Sequence, residues 1–159
     1  MNRQMTGWMF VVAQVALLLL IVVAPSGNDW ATPAWLTGLG WIISIGGVGI
    51  ALAASVRLGS ALTPTPVPSS RGELATQGMY TYVRHPIYTG VLAIVLGIVL
   101  RSGSVATAMI GVVLLAFFSV KARWEEQRLR EHYPGYGEYA MVTPRFVPRP
   151  SALLRERGS

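Results

Sequence analysis

The 159-residue chain is unusually apolar, since 52% of its residues are hydrophobic and only 13% are charged, whereas soluble domains carry about 25% charged residues. This composition argues against a soluble globular domain, excludes a disordered or collagen-like chain, and predicts that most of the protein lies in lipid. The absence of cysteine excludes disulfides, thiolate metal sites and a cysteine nucleophile, and the net charge of +6 can orient the chain across a membrane.

Four apolar segments contain no Asp, Glu, Lys or Arg, and they are residues 8–24, 34–56, 87–100 and 105–120. A helix needs about 20 residues to cross the hydrocarbon core, so we expect the last two segments to extend beyond their apolar parts. Only the four turn-forming residues 101–104 separate them, which predicts an antiparallel helical hairpin. The sequence thus predicts an all-α, polytopic membrane protein with about four transmembrane helices.

The first span allows two interpretations. Arg3, the apolar run and the small residues that end at Ala24 are also typical of a cleaved signal peptide, although Pro25 would directly follow the cut. A retained membrane span is the interpretation that we favour.

The second span is rich in glycine, which lets a neighbouring helix or a ligand approach its backbone closely. Close helix packing is the simpler interpretation. Gly49 and Ala53 also form a small-xxx-small pair that is compatible with a homodimer. Beyond this span, proline occupies every second position at 64, 66 and 68, so residues 63–70 are predicted to form an extended linker.

The basic residues indicate which side of the membrane each segment occupies. With four spans, the N-terminus, the 57–86 loop and the tail from Lys121 share one side and hold twelve of the thirteen Lys and Arg residues, while Arg101 lies opposite. By the positive-inside rule, both termini are predicted to be cytoplasmic. We therefore expect one integral-membrane domain: two spans in 1–56, a loop in 57–86, the hairpin in 87–120, and a cytosolic helix and tail in 121–159.

A first polar cluster precedes the third span, where Arg84 and His85 stand directly before Pro86 and Tyr88 lies further in. Proline at the first helical position leaves a helix start whose free N–H groups and positive dipole end favour an anion such as a carboxylate. The alternative is that Arg84 binds lipid headgroups and the nearby tyrosines form an interfacial aromatic belt.

A second polar cluster follows the fourth span without a break, so we expect that helix to continue into the cytosol. Glu125 and Glu126 lie about 100° apart on such a helix, so one can face a cofactor while the other meets solvent or a basic partner. The alternative is ordinary pairing of Lys121 with Glu125 and of Glu126 with Arg130. The tail beyond contains several Pro and Gly residues and could fold back as a lid or lie on the membrane surface.

Three elements in this order resemble the isoprenylcysteine carboxyl methyltransferase family, in its short prokaryotic integral-membrane form. They are G-x-Y-x-x-V-R-H-P-x-Y-x-G at 78–90, the glutamate pair after a helical hairpin, and a tail with Y-x-x-Y followed by P-R-x-x-P. The resemblance covers about residues 57–148 and implies a prokaryotic plasma-membrane protein.

The resemblance implies S-adenosylmethionine as methyl donor and S-adenosylhomocysteine as product, bound on the cytosolic side by the hairpin, the R-H-P segment and a C-terminal cap. The cofactor-binding residues that it implies are Gly78, Tyr80, Val83, Arg84, His85, Pro86, Tyr88, Glu125 and Glu126. The catalytic candidates are Arg57, Lys121, Arg123 and Glu126. Near Lys121 the family usually has arginine.

The implied acceptor is the carboxylate of an isoprenylated cysteine or a similar lipid that enters from the bilayer, held by a basic residue. If the acceptor is instead a phospholipid amine or a small thiol, Glu126 or His85 is the candidate base. A non-catalytic interaction module in the membrane is a third possibility, and a sterol-reductase-like role would need more spans. No nucleic acid or metal partner is expected.

Overall fold

The computed structural model describes residues 3–59 and 74–149, in which all regular structure is helical. The elements in chain order are α1 (Arg3–Val23), α2 (Ala34–Leu58), a short 3-10 helix (Gly78–Thr81), α3 (Pro86–Ser102), α4 (Val105–His132) and α5 (Tyr136–Val142). The linker predicted at 63–70 lies outside the described residues.

Four of these helices correspond to the predicted spans. α1, α2 and α4 are long and apolar enough to cross a membrane, and α3 is a shorter apolar helix of 17 residues. As predicted, α3 begins at Pro86 and α4 continues beyond its apolar part to His132. The all-α polytopic membrane fold is therefore confirmed.

α2 and α3 pack with their backbones in close approach because glycines face each other across the contact. A Cβ added to Gly47 would lie 2.5 Å from the Gly90 carbonyl oxygen. A Cβ on Gly97 would likewise meet the backbone carbonyl of Gly40. Gly49 is not in this contact, since a Cβ there would meet nothing within 4 Å. Only some of the α2 glycines therefore serve the α2–α3 contact. The Gly49–Ala53 pair remains compatible with a homodimer.

α1 packs against α4 and completes the apolar core. Ile21 of α1 is 2% exposed and clusters with Val95, Leu114 and Phe118. Nearer the N-terminus, Phe10 contacts aromatic rings of α4, including that of Trp124 at 5.3 Å. The segment that could be read as a signal peptide thus contributes to the core of the structure.

The turn between α3 and α4 is held by the loop that joins α1 and α2. Gly103 ends α3 with a left-handed φ of 61°, and Ser104 caps α4. Asp29 accepts a hydrogen bond from the first amide of α4 through Oδ2 at 2.7 Å, and its own amide donates to the Gly103 carbonyl at 2.9 Å. The turn is shorter than the predicted four residues because Arg101 and Ser102 are helical.

The adjacent glycines 46 and 47 provide a matched test of the α2–α3 contact. We expect Gly47→Ala to destabilise the protein by about 1–3 kcal/mol, because the new methyl group meets backbone and cannot be relieved by a side-chain rotation. Gly46→Ala should be neutral or slightly stabilising, because its Cβ enters open space. Thermal denaturation in detergent measures both, and equal midpoints for the two variants would contradict this packing.

Candidate functional site

The chain after α5 returns to the start of α3. Residues 143–149, here called the C-terminal strap, lie against it through backbone hydrogen bonds. The amides of Arg84 and His85 donate to the carbonyls of Pro144 and Arg145 at 2.9 and 3.2 Å. The Thr89 hydroxyl donates to the Phe146 carbonyl at 2.8 Å. The tail therefore folds back over the R-H-P segment, and it occupies the two amides directly before the helix.

Glu126 of α4 is the centre of the polar cluster beneath the strap. Its carboxylate is buried and accepts hydrogen bonds from Arg145 at both oxygens, each at 2.8 Å. Arg84 Nη2 and His85 Nε2 lie 3.2 and 3.1 Å from Oε1 of the same carboxylate. Because an ionised carboxylate only accepts, the His85 contact places a proton on Nε2. Glu126 thus joins α4, the start of α3 and the strap.

Glu125 lies on the other side of the His85 ring and is less buried. Its Oε2 accepts a 2.9 Å hydrogen bond from the Tyr88 hydroxyl and lies 3.7 Å from His85 Nδ1. The rings of His85 and Tyr88 are parallel with centroids 5.2 Å apart. The two glutamates therefore differ: Glu126 meets basic partners, whereas a quarter of the Glu125 side chain is exposed. That one of them faces a cofactor stays a prediction.

Tyr80, Tyr136 and Tyr139 lie near the cluster and contact one another. The Tyr139 hydroxyl donates to the Tyr80 carbonyl at 2.6 Å, and the rings of Tyr136 and Tyr139 are 5.9 Å apart. Burial, with the charge of Glu125, raises the pKa of Tyr80 to about 12, and burial also raises the pKa of Tyr136 and Tyr139. All three phenols are therefore neutral hydrogen-bond donors at physiological pH.

Lys121 is buried one helical turn before Glu125, with only 3% of its surface exposed. Its ammonium group donates to the side-chain oxygen of Gln14 in α1 and lies 5.3 Å from the centre of the Tyr88 ring. A lysine inside an apolar bundle that has a neutral amide as its hydrogen-bond partner is costly, and such a residue is a functional candidate by default.

The other predicted site residues occupy different environments. Val83 and Pro86 are buried beside the cluster, whereas Gly78 is exposed at the start of the 3-10 helix with a φ of 63°. Arg57 is exposed at the end of α2 and donates to Gln77. Arg123 is exposed on α4. Of the three basic catalytic candidates, Lys121 is the one that lies inside the bundle.

Four residues of the site were not among the predicted site residues. Arg145 lies in the P-R-x-x-P tail, and Tyr136 and Tyr139 form the Y-x-x-Y pair, so all three were within recognised motifs but without a role. The sequence indicated Gln14 more weakly, because the only sign of a role was a polar amide side chain within the apolar segment 8–24.

A family model described as phospholipid methyltransferase matches residues 35–135, which is more than half of the chain. The match begins in α2 and includes α3, α4 and the glutamate pair. The chain belongs to the phospholipid methyltransferase family. Since the family match begins at residue 35, the sequence similarity to the family extends further toward the N-terminus than the motifs alone indicated.

Curated relatives of this family member fall into two groups. Two bacterial proteins match almost the whole chain: the cobalt-zinc-cadmium resistance protein CzcN of Cupriavidus metallidurans, at 32% identity over 94% of the chain, and the nickel-cobalt-cadmium resistance protein NccN of Alcaligenes xylosoxydans xylosoxydans, at 29% over 98%. The chain spans 65% and 70% of the lengths of these proteins.

The second group matches about half of the chain. The protein-S-isoprenylcysteine O-methyltransferase of Schizosaccharomyces pombe is 36% identical over 47% of this chain and 33% of its own length. This partial match and the family model confirm the resemblance seen in the motifs. Because the bacterial relatives are named for metal resistance, we note that residues 3–59 and 74–149 contain no group of three His, Asp or Glu side chains able to hold a metal ion.

The Arg145–Glu126 pair should determine how firmly the strap is closed. Arg145→Met removes two charge-assisted hydrogen bonds, and because Arg145 is partly exposed we expect a loss of about 1.5 kcal/mol, or roughly tenfold faster amide hydrogen exchange in residues 143–149. Arg149→Met is the matched control, since exposed Arg149 donates to the backbone carbonyls of Met141 and Val142 and not to the Glu126 carboxylate. Exchange that changes equally in both variants would contradict a specific role for Arg145.

Proposed function

We propose that this protein is an S-adenosylmethionine-dependent methyltransferase that works where the cytosol meets the bilayer. One observation carries the proposal: the apolar helices α3 and α4 bring the polar cluster of Arg84, His85, Glu125 and Glu126 together at one end of the hairpin. Membership of the phospholipid methyltransferase family and the partial similarity to isoprenylcysteine methyltransferases support it.

The side chains of the cluster fit the amino-acid end of this cofactor. Two guanidinium groups face the Glu126 carboxylate, and Glu125 offers a second, partly exposed carboxylate. Cationic donors suit the cofactor's carboxylate, and a glutamate suits its ammonium group. When bound, the cofactor supplies an electrophilic methyl group on a sulfonium centre, and the protein aligns the acceptor and excludes water.

We further propose an acceptor that carries an anionic headgroup on a lipid chain, such as the carboxylate of an isoprenylated cysteine. Lys121 supports this choice, because its buried ammonium group lies one turn from Glu125 and could hold an anion beside the cofactor site. A carboxylate needs no base to react. A phospholipid amine or a thiol would need one, and Glu126 is poorly suited because three cationic or imidazole donors already bind its carboxylate.

The lipid chain would remain in the bilayer during the reaction and enter the site between helices. The excess of Lys and Arg on the side of the cluster supports a cytoplasmic location for both termini, by the positive-inside rule. A prokaryotic plasma membrane is the location that we propose, since S-adenosylmethionine is then supplied from the cytosol.

Calorimetric titration of S-adenosylhomocysteine into the detergent-solubilised protein tests the cofactor. We expect the wild type to bind and Glu125→Gln to bind roughly tenfold or more weakly, because the variant loses the charge that would face the ammonium group. Glu138→Gln, at an exposed position of α5, is the matched control and should bind like the wild type. A folded wild-type protein that does not bind this ligand would contradict the proposed function.

Variants of Lys121 and Arg123 test whether a specific cation binds the acceptor or whether any positive charge on α4 is sufficient. With N-acetyl-S-farnesylcysteine as acceptor, Lys121→Met should lower kcat/KM by roughly 100-fold, while S-adenosylhomocysteine affinity stays within about twofold of wild type. Arg123→Met removes an exposed cation from the same helix and should have little effect. Methylation of phosphatidylethanolamine or a small thiol, without methylation of the farnesylcysteine, would support the alternative acceptors.

A further inference from the structure

Gln14 is a polar side chain in the apolar span α1, and it contacts the buried ammonium group of the site. Its side-chain oxygen accepts a hydrogen bond from Lys121, which is 3% exposed. Residue 14 lies before residues 35–135, which the family model matches. Similarity to the family therefore does not account for this contact, and the contact calls for a physical explanation.

Packing of α1 against α4 does not depend on this hydrogen bond. Phe10, one turn before Gln14, contacts two aromatic rings of α4. They belong to Phe117 and Trp124, at 5.9 and 5.3 Å between ring centroids. Further along α1, Ile21 is buried in the apolar core. Because hydrogen bonds between membrane helices add little stability on average, packing alone is a weak reason to bury a lysine against a glutamine here.

The ammonium group of Lys121 is not neutralised by its neighbours. Besides the Gln14 amide it faces the Tyr88 ring, whose centre lies 5.3 Å away. Within residues 3–59 and 74–149, no carboxylate lies within 4 Å of it. Glu125 is one turn further along α4, but its Oε2 accepts a hydrogen bond from the Tyr88 hydroxyl at 2.9 Å. Lys121 is thus a buried cation that has no ion-pair partner in the described part of the chain.

A neutral amide suits a cation that has to bind a ligand. The amide oxygen fixes the direction of the ammonium group with one hydrogen bond, and it leaves the other N–H donors and the whole charge for an anion. A carboxylate at position 14 would instead form an ion pair with the lysine. An anionic ligand would then approach a negative charge, and two like charges in contact disfavour binding strongly.

We propose that Gln14 is a positioning residue that holds Lys121 ready for the anionic headgroup of a lipid acceptor. This inference rests on the proposed function, and it adds a contribution of α1 to acceptor binding. Tyr88 connects Lys121 to the glutamate pair, since its ring faces the ammonium group and its hydroxyl donates to Glu125. A headgroup bound by Lys121 would therefore lie beside the cofactor site.

Gln14→Glu tests the proposal, because it keeps a hydrogen-bond acceptor for Lys121 but adds a negative charge. The probes are N-acetyl-S-farnesylcysteine and its carboxamide, which has the same lipid chain without the anion. Both are titrated by calorimetry into the detergent-solubilised protein with S-adenosylhomocysteine present. We expect Gln14→Glu to weaken the carboxylate ligand roughly 30-fold or more and the carboxamide less than about threefold. S-Adenosylhomocysteine affinity should stay within about twofold of the wild type.

Two further variants complete the test. Gln127→Glu makes the same chemical change at an exposed position of α4 and should leave both affinities within about twofold, because water screens its charge. Gln14→Met has a side chain of similar length without the amide oxygen, so the ammonium group is free to turn toward Glu125. We expect it to weaken the carboxylate ligand roughly tenfold and the carboxamide less than about twofold. Since Gln14→Met adds no charge to the span, it also decides the question where Gln14→Glu does not fold.

A purely structural hydrogen bond predicts a different result. Gln14→Glu keeps the contact with Lys121 and would then bind both ligands like the wild type, whereas Gln14→Met would lower the thermal midpoint and weaken both ligands equally. Either result would overturn the role of Gln14, while binding of S-adenosylhomocysteine would still support a methyltransferase.

The wild-type protein separates this inference from the function on which it rests. Binding of S-adenosylhomocysteine without binding of either farnesylated ligand would overturn the proposed acceptor, and this inference with it, but not the methyltransferase. Absence of S-adenosylhomocysteine binding by the folded wild type would overturn the proposed function itself.

Discussion

The buried carboxylate of Glu126 is the interaction on which the site depends. It is bound by Arg145 from the strap and by Arg84 and His85 from the start of α3, so three separate stretches of chain meet at one side chain. Breaking a buried ion pair leaves uncompensated charge, which costs more than forming the pair contributes. The strap is therefore tied to both α3 and α4 through this one carboxylate.

Two helix contacts outside the cluster fix the position of α3 along its neighbours. Glycine contacts bring α2 and α3 together, and the α1–α2 loop binds the turn at the other end through Asp29. Neither contact touches the cluster, yet both limit how far α3 can slide along its neighbours. α1 also reaches the site directly, since Gln14 is the hydrogen-bond partner of Lys121.

The membrane spans and most of the polar cluster could be predicted from the sequence. Apolar runs and Pro86 located the spans, and the Arg84-His85 and Glu125-Glu126 pairs located the cluster. The strap was harder to predict, because the local sequence of a tail with Pro and Gly does not determine which distant amides its carbonyl groups will bind. The burial of Tyr136 could not be predicted either, since a tyrosine beside glycines is typical of an exposed turn.

The unequal lengths of the hairpin helices have a consequence for the surrounding lipid. At 1.5 Å per residue, the 17 residues of α3 span about 26 Å, whereas the 28 residues of α4 span about 42 Å. The hydrocarbon core is about 30 Å thick, so the bilayer beside α3 must thin, or polar groups at the helix ends must reach outward. Where the bilayer thins, its headgroup layer lies closer to Tyr88 and Glu125, and bilayer thickness would then affect how readily a lipid headgroup meets the site.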